Sequence, residues 1–211
     1  MKFKILNKGL ITQGFNENAN GAYAAMGMTG HPGIDWTQGW GSRIQADNGG
    51  YCYKVFLPQE RPDNWSAVYI LVPDGDDFIE WNLGHLSRIF IREGMDILEG
   101  QYVGKEGNFG LVYSGGTQIT PEMQDAGDHR GSHVHEQYRP VRRVTKALAT
   151  KHYLENKDGS LYKDKDGFYY EVKNENGTQG CVSPMDYVYK DTVADKVRCI
   201  SNAVTNLFKA Q

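Results

Sequence analysis

The sequence has few cysteines, no long apolar run and no excess of charge of one sign. Its three cysteines, Cys52, Cys181 and Cys199, show no Cys-x-x-Cys spacing and cannot all pair within one chain, so we expect free buried thiols. A net charge of -3 without a basic block argues against nucleic acid as the main partner. No run approaches the roughly 20 apolar residues of a membrane span, so no membrane partner is expected.

The sequence also lacks several common signals for targeting and catalysis. Residues 1–11 have neither the apolar core nor the small-residue cleavage site of a secretory signal peptide, so we expect synthesis in the cytosol. No His-Glu-x-x-His motif, Gly-x-Ser-x-Gly elbow or Walker A loop is present. The absence of these motifs argues against a zinc protease with the His-Glu-x-x-His helix, a serine hydrolase with the Gly-x-Ser-x-Gly turn and a P-loop nucleotide enzyme.

Glycine and tyrosine are abundant, with 25 and 13 residues in a chain of 211. Short aromatic-rich segments punctuated by glycine are typical of an all-β protein. The length favours one domain with room for an appendage, and such a chain can bury a core without disulfides.

Histidines in three places carry the strongest chemical signal. His133 and His135 form a His-x-His pair, and on a strand their side chains share a face. His31 lies four residues before Asp35, and His85 lies between the two clusters in sequence. An isolated histidine is more often a surface or core residue than a ligand. Together, however, four imidazoles and one carboxylate suit a catalytic zinc site that keeps one open position.

These motifs and two glycine-rich segments resemble those of the M23 metallopeptidases, the lysostaphin and LytM-like group. The five matching segments occur in the family's order within residues 9–140. They are His31-Pro-Gly-Ile-Asp35, Ile44-Gln-Ala-Asp-Asn-Gly49, Trp81 to Leu86, Gly94 to Gly110 and Gly131-Ser-His133-Val-His135.

The resemblance implies a role for each polar residue. His31, Asp35 and His135 would hold one Zn²⁺ per chain. His133 would act as a general base or orient the water, and His85 would stabilise the developing oxyanion. The implied activity is a zinc endopeptidase that cuts peptide bonds of bacterial peptidoglycan.

The resemblance and the expected cytosolic synthesis together suggest where the protein acts. It would reach the cell wall after release, as a phage lysin, or as a tail-associated hydrolase alongside other virion proteins. The alternative is a catalytically silent module that keeps the M23 fold in a virion or cell-wall complex.

Two departures from the family pattern stand out. Leu111 to Arg130 replace a short family turn before the His-x-His pair and show no clear periodicity, which suggests a mobile wall of the cleft that selects the substrate. Glu136 follows His135 directly, one place before the family's usual glutamate. It alternates with His135, so we expect its side chain on the opposite face.

We therefore predict a mainly β protein with an antiparallel sheet core of the M23/LytM type and long loops. Residues 1–140 would form the peptidase domain and residues 141–211 a C-terminal extension packed on it. Asp158-Gly159, Asp166-Gly167 and Asn176-Gly177 predict hairpin turns in that extension. Helical spacing of apolar residues over Thr192 to Phe208 predicts a C-terminal helix.

Overall fold

A computed structural model of the chain describes residues 9–18 and 21–185. The helix predicted over Thr192 to Phe208, and Cys199, lie outside these residues. The strands are Leu10–Gln13 (β1), Ile34–Thr37 (β2), Arg43–Gln45 (β3), Gly50–Phe56 (β4), Ala67–Asp74 (β5), Asp77–Gly84 (β6), Arg88–Ile89 (β7), Met95–Ile97 (β8), Tyr102–Lys105 (β9), Val112–Ser114 (β10), Thr117–Ile119 (β11), Val134–Val144 (β12) and Tyr169–Val172 (β13). The helices are Ala22–Ala25 (α1) and Pro121–Asp125 (α2), with a 3-10 turn at Pro58–Glu60.

The largest sheet has eight strands, and all the predicted site residues lie on three of its neighbouring strands, β2, β12 and β6, or within three residues of them. Its order is β1-β2-β12-β6-β5-β4-β8, with β13 also paired to β12, and every pairing is antiparallel. A second sheet of β3, β9 and β7 supplies Ile44 and Val103 to the main core. The predicted mainly β, antiparallel fold class is confirmed.

The register of the central strands aligns the motifs in one row. His135 of β12 lies opposite Asp35 of β2 on one side and opposite Gly84 of β6 on the other. His85 follows Gly84 directly, where β6 ends. Strand pairing therefore brings together three motifs that are far apart in sequence.

Alternation along β12 separates the core from the functional face. Val134, Glu136 and Tyr138 point into the core, and the Glu136 carboxylate accepts hydrogen bonds from the Trp36 and Trp81 indoles at 2.8 and 3.0 Å. The Tyr138 hydroxyl donates a third, at 2.8 Å. Glu136 thus lies on the face opposite His135, as predicted, and hydrogen bonds satisfy its buried carboxyl oxygens.

The C-terminal segment packs on the same face of the sheet as His135. Val141, six residues after His135 and on the same side of β12, belongs to a second apolar cluster with Leu154, Tyr162 and Tyr170. The predicted boundary at residue 140 falls inside β12, whose last four residues pair with β13. The division into two domains stays a prediction.

Two of the predicted turns in this segment are confirmed as tight turns. Gly159 and Gly167 adopt left-handed φ values of +80° and +87°, and the chain on either side forms single antiparallel bridges. Cys52 and Cys181 are buried and free, as expected. Within residues 9–18 and 21–185, no helix combines the length and apolar character needed to cross a bilayer.

Residues 111–130 contain more regular structure than their pattern suggested. Gly115 and Gly116, both with positive φ, form the turn of the β10–β11 hairpin. The Thr120 side chain accepts a hydrogen bond from the Met123 amide, which caps α2. The buried Gln124 amide donates to the carbonyls of residues 108 and 110, so α2 is tied to the segment beneath it.

Candidate active site

His31, Asp35 and His135 bring three potential metal-ligand atoms together. His31 Nε2 lies 2.9 Å from His135 Nδ1 and 3.1 Å from Asp35 Oδ1, and His135 Nδ1 lies 2.9 Å from the same carboxylate oxygen. All three residues are buried. The described part of the chain has no other such cluster of three or more histidine, cysteine, aspartate or glutamate residues.

The donor set fits a zinc ion. Two ligands about 2.0–2.1 Å from a tetrahedral zinc lie roughly 3.3 Å apart, so only a few tenths of an ångström of adjustment is needed. His31 Nδ1 donates to the Gly14 carbonyl at 3.0 Å, because a carbonyl oxygen can only accept. Its neutral ring therefore presents the Nε2 lone pair to the cluster, as second-shell hydrogen bonds do for metal-binding histidines.

The charges of the cluster also suit a cation. Burial alone would raise the pKa of Asp35, but the close contacts with the His135 and His31 rings outweigh it and hold that pKa well below its usual range. Burial lowers the pKa of His135, although Asp35 opposes this shift. The result is one carboxylate beside the His135 imidazole, which favours the neutral, metal-binding form.

His133 lies on the same side as the cluster, one residue before β12 begins. Its Nδ1 donates to the Gly131 carbonyl at 2.7 Å, so the neutral ring has an unprotonated Nε2. That nitrogen lies 3.6 Å from Asp35 Oδ2. His133 therefore presents a proton acceptor beside the cluster.

His85 completes the group from the end of β6. Its ring lies 4.4 Å from the ring of His133, and its Nδ1 donates to the Phe109 carbonyl at 2.7 Å. Burial and the neighbouring His133 and His135 lower the pKa of His85 well below 6.5. Its φ of +62° is an unusual conformation for a residue other than glycine, and such strain recurs at functional sites.

Trp65 supports the His85 ring and was not predicted as a site residue. The two rings pack edge to face with centroids 4.9 Å apart. A Cβ at Gly84 would lie 2.3 Å from the indole, and one at Gly110 would lie 2.8 Å from it. Two glycines thus make room for the tryptophan, a relation that the sequence does not reveal.

A cleft of about 980 Å³ opens beside His85 and His135. Aromatic and apolar side chains line it, among them Tyr23, Trp65, Leu111 and Tyr113. The Tyr23 ring lies 5.3 Å from the His31 ring, and burial together with Asp35 raises the pKa of Tyr23 to about 12. Tyr23 was also missed, because a tyrosine in a loop of small residues carries no sequence signal.

The buried state of His85 predicts a pH dependence of stability. The unfolded chain takes up a proton near pH 6.5, whereas folded His85 does so only at lower pH. The unfolded state thus binds more protons below pH 6.5, so the free energy of unfolding of metal-free protein should fall as the pH drops from 7 to 5. His85→Asn tolerates the positive φ and should flatten this slope in denaturant unfolding with chelator. An equal slope in the variant would assign the effect to other groups.

Comparison with known proteins gave structural matches only. No protein-family model matches the sequence, and no curated protein matches it. The catalytic domain of the prophage-encoded M23 protein EnpA from Enterococcus faecalis is 26% identical, with 52% of this chain and 68% of that chain covered and a TM-score of 0.38. The catalytic domain of lysostaphin from Staphylococcus simulans is 18% identical, with 64% and 80% covered and a TM-score of 0.41.

A zinc-containing peptidase from Vibrio cholerae is 18% identical, with 67% of this chain and 39% of that chain covered and a TM-score of 0.46. EnpA is named as a protein of the M23 family, the family that the sequence motifs resemble. Because the TM-scores of these three structures are below 0.5, no function is inferred from their similarity to this chain.

Proposed function

We propose that the protein is a zinc-dependent endopeptidase that hydrolyses peptide bonds of bacterial peptidoglycan. The observation that carries this proposal is the convergence of His31, Asp35 and His135 beside two further histidines with free acceptor nitrogens, at a cleft. The peptidoglycan substrate, and action after release from a phage or within a virion, rest on the sequence resemblance alone.

Zinc, when bound, supplies a Lewis acid and lowers the pKa of a coordinated water from about 15.7 to about 7. His133 would be the residue that accepts and holds a proton at Nε2, because this nitrogen is an acceptor and faces Asp35. The Gly131 carbonyl fixes this tautomer, as an orienting partner does for a general base. His133 would then return the proton to the leaving amine.

The role predicted for His85, donating to the developing oxyanion, carries a condition. The Phe109 carbonyl takes the Nδ1 proton, so Nε2 can donate only when the ring is protonated. The lowered pKa keeps the resting ring neutral. We propose that the neutral His85 ring accepts a hydrogen bond from water or substrate at Nε2, and that only the protonated ring could donate to the oxyanion.

We propose that the β10–β11 hairpin selects the substrate peptide. Leu111 and Tyr113 line the cleft and are 47% and 54% exposed, so they can contact a ligand without supporting the core. Changing both to alanine should raise KM about tenfold or alter the preferred bond, with melting temperature and zinc content unchanged. Gln118→Ala, exposed in the same hairpin but outside the cleft lining, is the matched control. Unchanged products and kinetics in the double variant would make the hairpin a surface elaboration.

Deleting residues 117–127 would be a poorer test than the double substitution. The deletion would also remove the Gln124 side chain, which donates hydrogen bonds to the carbonyls of residues 108 and 110 beside the site. A change in the kinetics of the deletion variant could therefore come from a disturbed active site as well as from lost contacts with the substrate.

Digestion of purified peptidoglycan tests the proposed function. Mass spectrometry of the products should show cleaved peptides and intact glycan strands, activity should disappear with chelator, and added zinc should restore it. If zinc-loaded protein leaves peptidoglycan of several cross-link types undigested, the catalytically silent module is favoured instead.

A further inference from the structure

Glu106 is a fully buried carboxylate that bridges the two metal-site motifs. Its Oε1 accepts hydrogen bonds from the Thr37 hydroxyl at 2.5 Å and the Ser132 hydroxyl at 2.9 Å. Its Oε2 accepts from the Gln38 amide at 2.7 Å. Thr37 lies two residues after Asp35, and Ser132 lies directly before His133. One side chain thus contacts the segments that carry a proposed ligand and the proposed base.

The residues after Glu106 hold the other catalytic segments through their backbone and side chains. The Gly107 carbonyl accepts from the His133 amide at 2.9 Å. The Asn108 amide donates to the carbonyls of residues 128 and 130, which lead into the His-x-His pair, and the Phe109 carbonyl accepts from His85 Nδ1. A Cβ at Gly107 would lie 2.7 Å from the His85 carbonyl oxygen, so this close approach requires glycine.

Strand pairing does not fix His133 as it fixes the proposed ligands. Asp35 and His135 lie opposite each other in the β2–β12 ladder, which holds their separation. His133 precedes β12 and has only the single bridge to Gly107. Its position relative to Asp35 therefore depends on contacts outside the main sheet, and Glu106 spans that gap.

We propose that Glu106 is a positioning residue that sets His133 against the metal site. Its catalytic consequence rests on the proposed function, whereas its effect on the geometry of His133 does not. The three hydrogen bonds from Thr37, Gln38 and Ser132 give both oxygens of the buried Glu106 carboxyl group a polar partner, as burial of a polar group requires. Glutamine has the same shape and can accept from Gln38 while donating to the two hydroxyls, so it should substitute well.

The test compares Glu106→Leu, Glu106→Gln and a destabilised control, Leu154→Ala, which opens the second apolar cluster, to which no motif residue belongs. NMR of the imidazole N–H groups reports the His133 Nδ1–H bond without requiring turnover. Glu106→Leu should shift that signal, keep the zinc, and lower kcat about a hundredfold with KM within a few-fold, since small displacements of reacting groups cost this much. Glu106→Gln should restore both the signal and the rate to within a few-fold of the natural protein.

A wild-type His133 signal in Glu106→Leu would overturn the proposal, as would an equal shift and loss of rate in Leu154→Ala. If Glu106→Leu does not fold, Ser132→Ala removes one hydrogen bond and keeps the carboxylate. It should still move the His133 signal and lower kcat about tenfold, and no change in either would overturn the proposal. If the natural protein digests no peptidoglycan, the proposed function fails, but the NMR comparison still tests whether Glu106 positions His133. Failure of the proposed function and failure of the positioning role can therefore be distinguished.

Discussion

Replacing His133 with alanine should lower kcat by roughly 10²–10⁴-fold, the range that a positioned general base contributes, while the protein keeps its zinc. His133 Nε2 lies beside Asp35 at 3.6 Å, whereas the three closely spaced ligand atoms belong to other residues. The loss should therefore lie in the chemical step. Steady-state kinetics with zinc quantified in the same sample separates that loss from metal loss.

His135→Ala is the paired variant for this prediction, because the two histidines share a face and differ by one strand step. It should lose the metal as well as the rate. If His133→Ala empties the site while His135→Ala keeps its zinc, the assignment of ligand and base within the pair is reversed.

His31→Ala or Asp35→Ala should abolish zinc binding and, with it, the stabilisation that zinc gives. The natural protein should bind about one zinc per chain. At a free zinc concentration about a thousand times Kd, binding contributes about 4 kcal/mol to the free energy of unfolding. Chelator should therefore lower the melting temperature of the natural protein clearly and leave that of the two variants unchanged.

His152→Ala controls for the loss of a histidine as such, because His152 is exposed and is not part of the cluster. It should bind zinc and respond to chelator as the natural protein does. Melting of the natural protein that is indifferent to chelator, with no zinc after dialysis, would contradict the proposed site.

Local sequence periodicity was enough to predict the arrangement within each motif. The two-residue repeat of a strand places His133 and His135 on one side and Glu136 on the other, and the structure has this arrangement. The Asp158-Gly159 and Asp166-Gly167 turns likewise follow from local turn chemistry, since glycine readily adopts a positive φ. These features depend on neighbours in the chain, which a sequence displays directly.

The supports of the site depend on contacts between distant segments and could not be predicted. Trp65 reaches His85 because two glycines on other segments leave space for its ring. Glu106 bridges Thr37 and Ser132, which are 69 and 26 residues away. No periodicity or spacing in the sequence indicates that Trp65 contacts His85 or that Glu106 contacts Thr37 and Ser132.

The secondary structure of residues 111–130 was not predicted, although the sequence contains a recognisable helix start. Thr120 followed by Pro121 is a typical helix start, with a capping hydroxyl and a proline at the first helical position, and α2 begins there. The segment has too few residues for a helical repeat to develop, so periodicity alone missed it. The anchoring of α2 by Gln124 is again a contact between separate segments.

The most direct test of the central claim is anomalous diffraction from crystals of the zinc-loaded protein, with data collected on both sides of the zinc absorption edge. The proposed site predicts one strong peak per chain, bonded to His31 Nε2, Asp35 Oδ1 and His135 Nδ1 and not to His85 or His133. A peak elsewhere, a peak bonded to His133 in place of His135, or no peak at saturating zinc would contradict it.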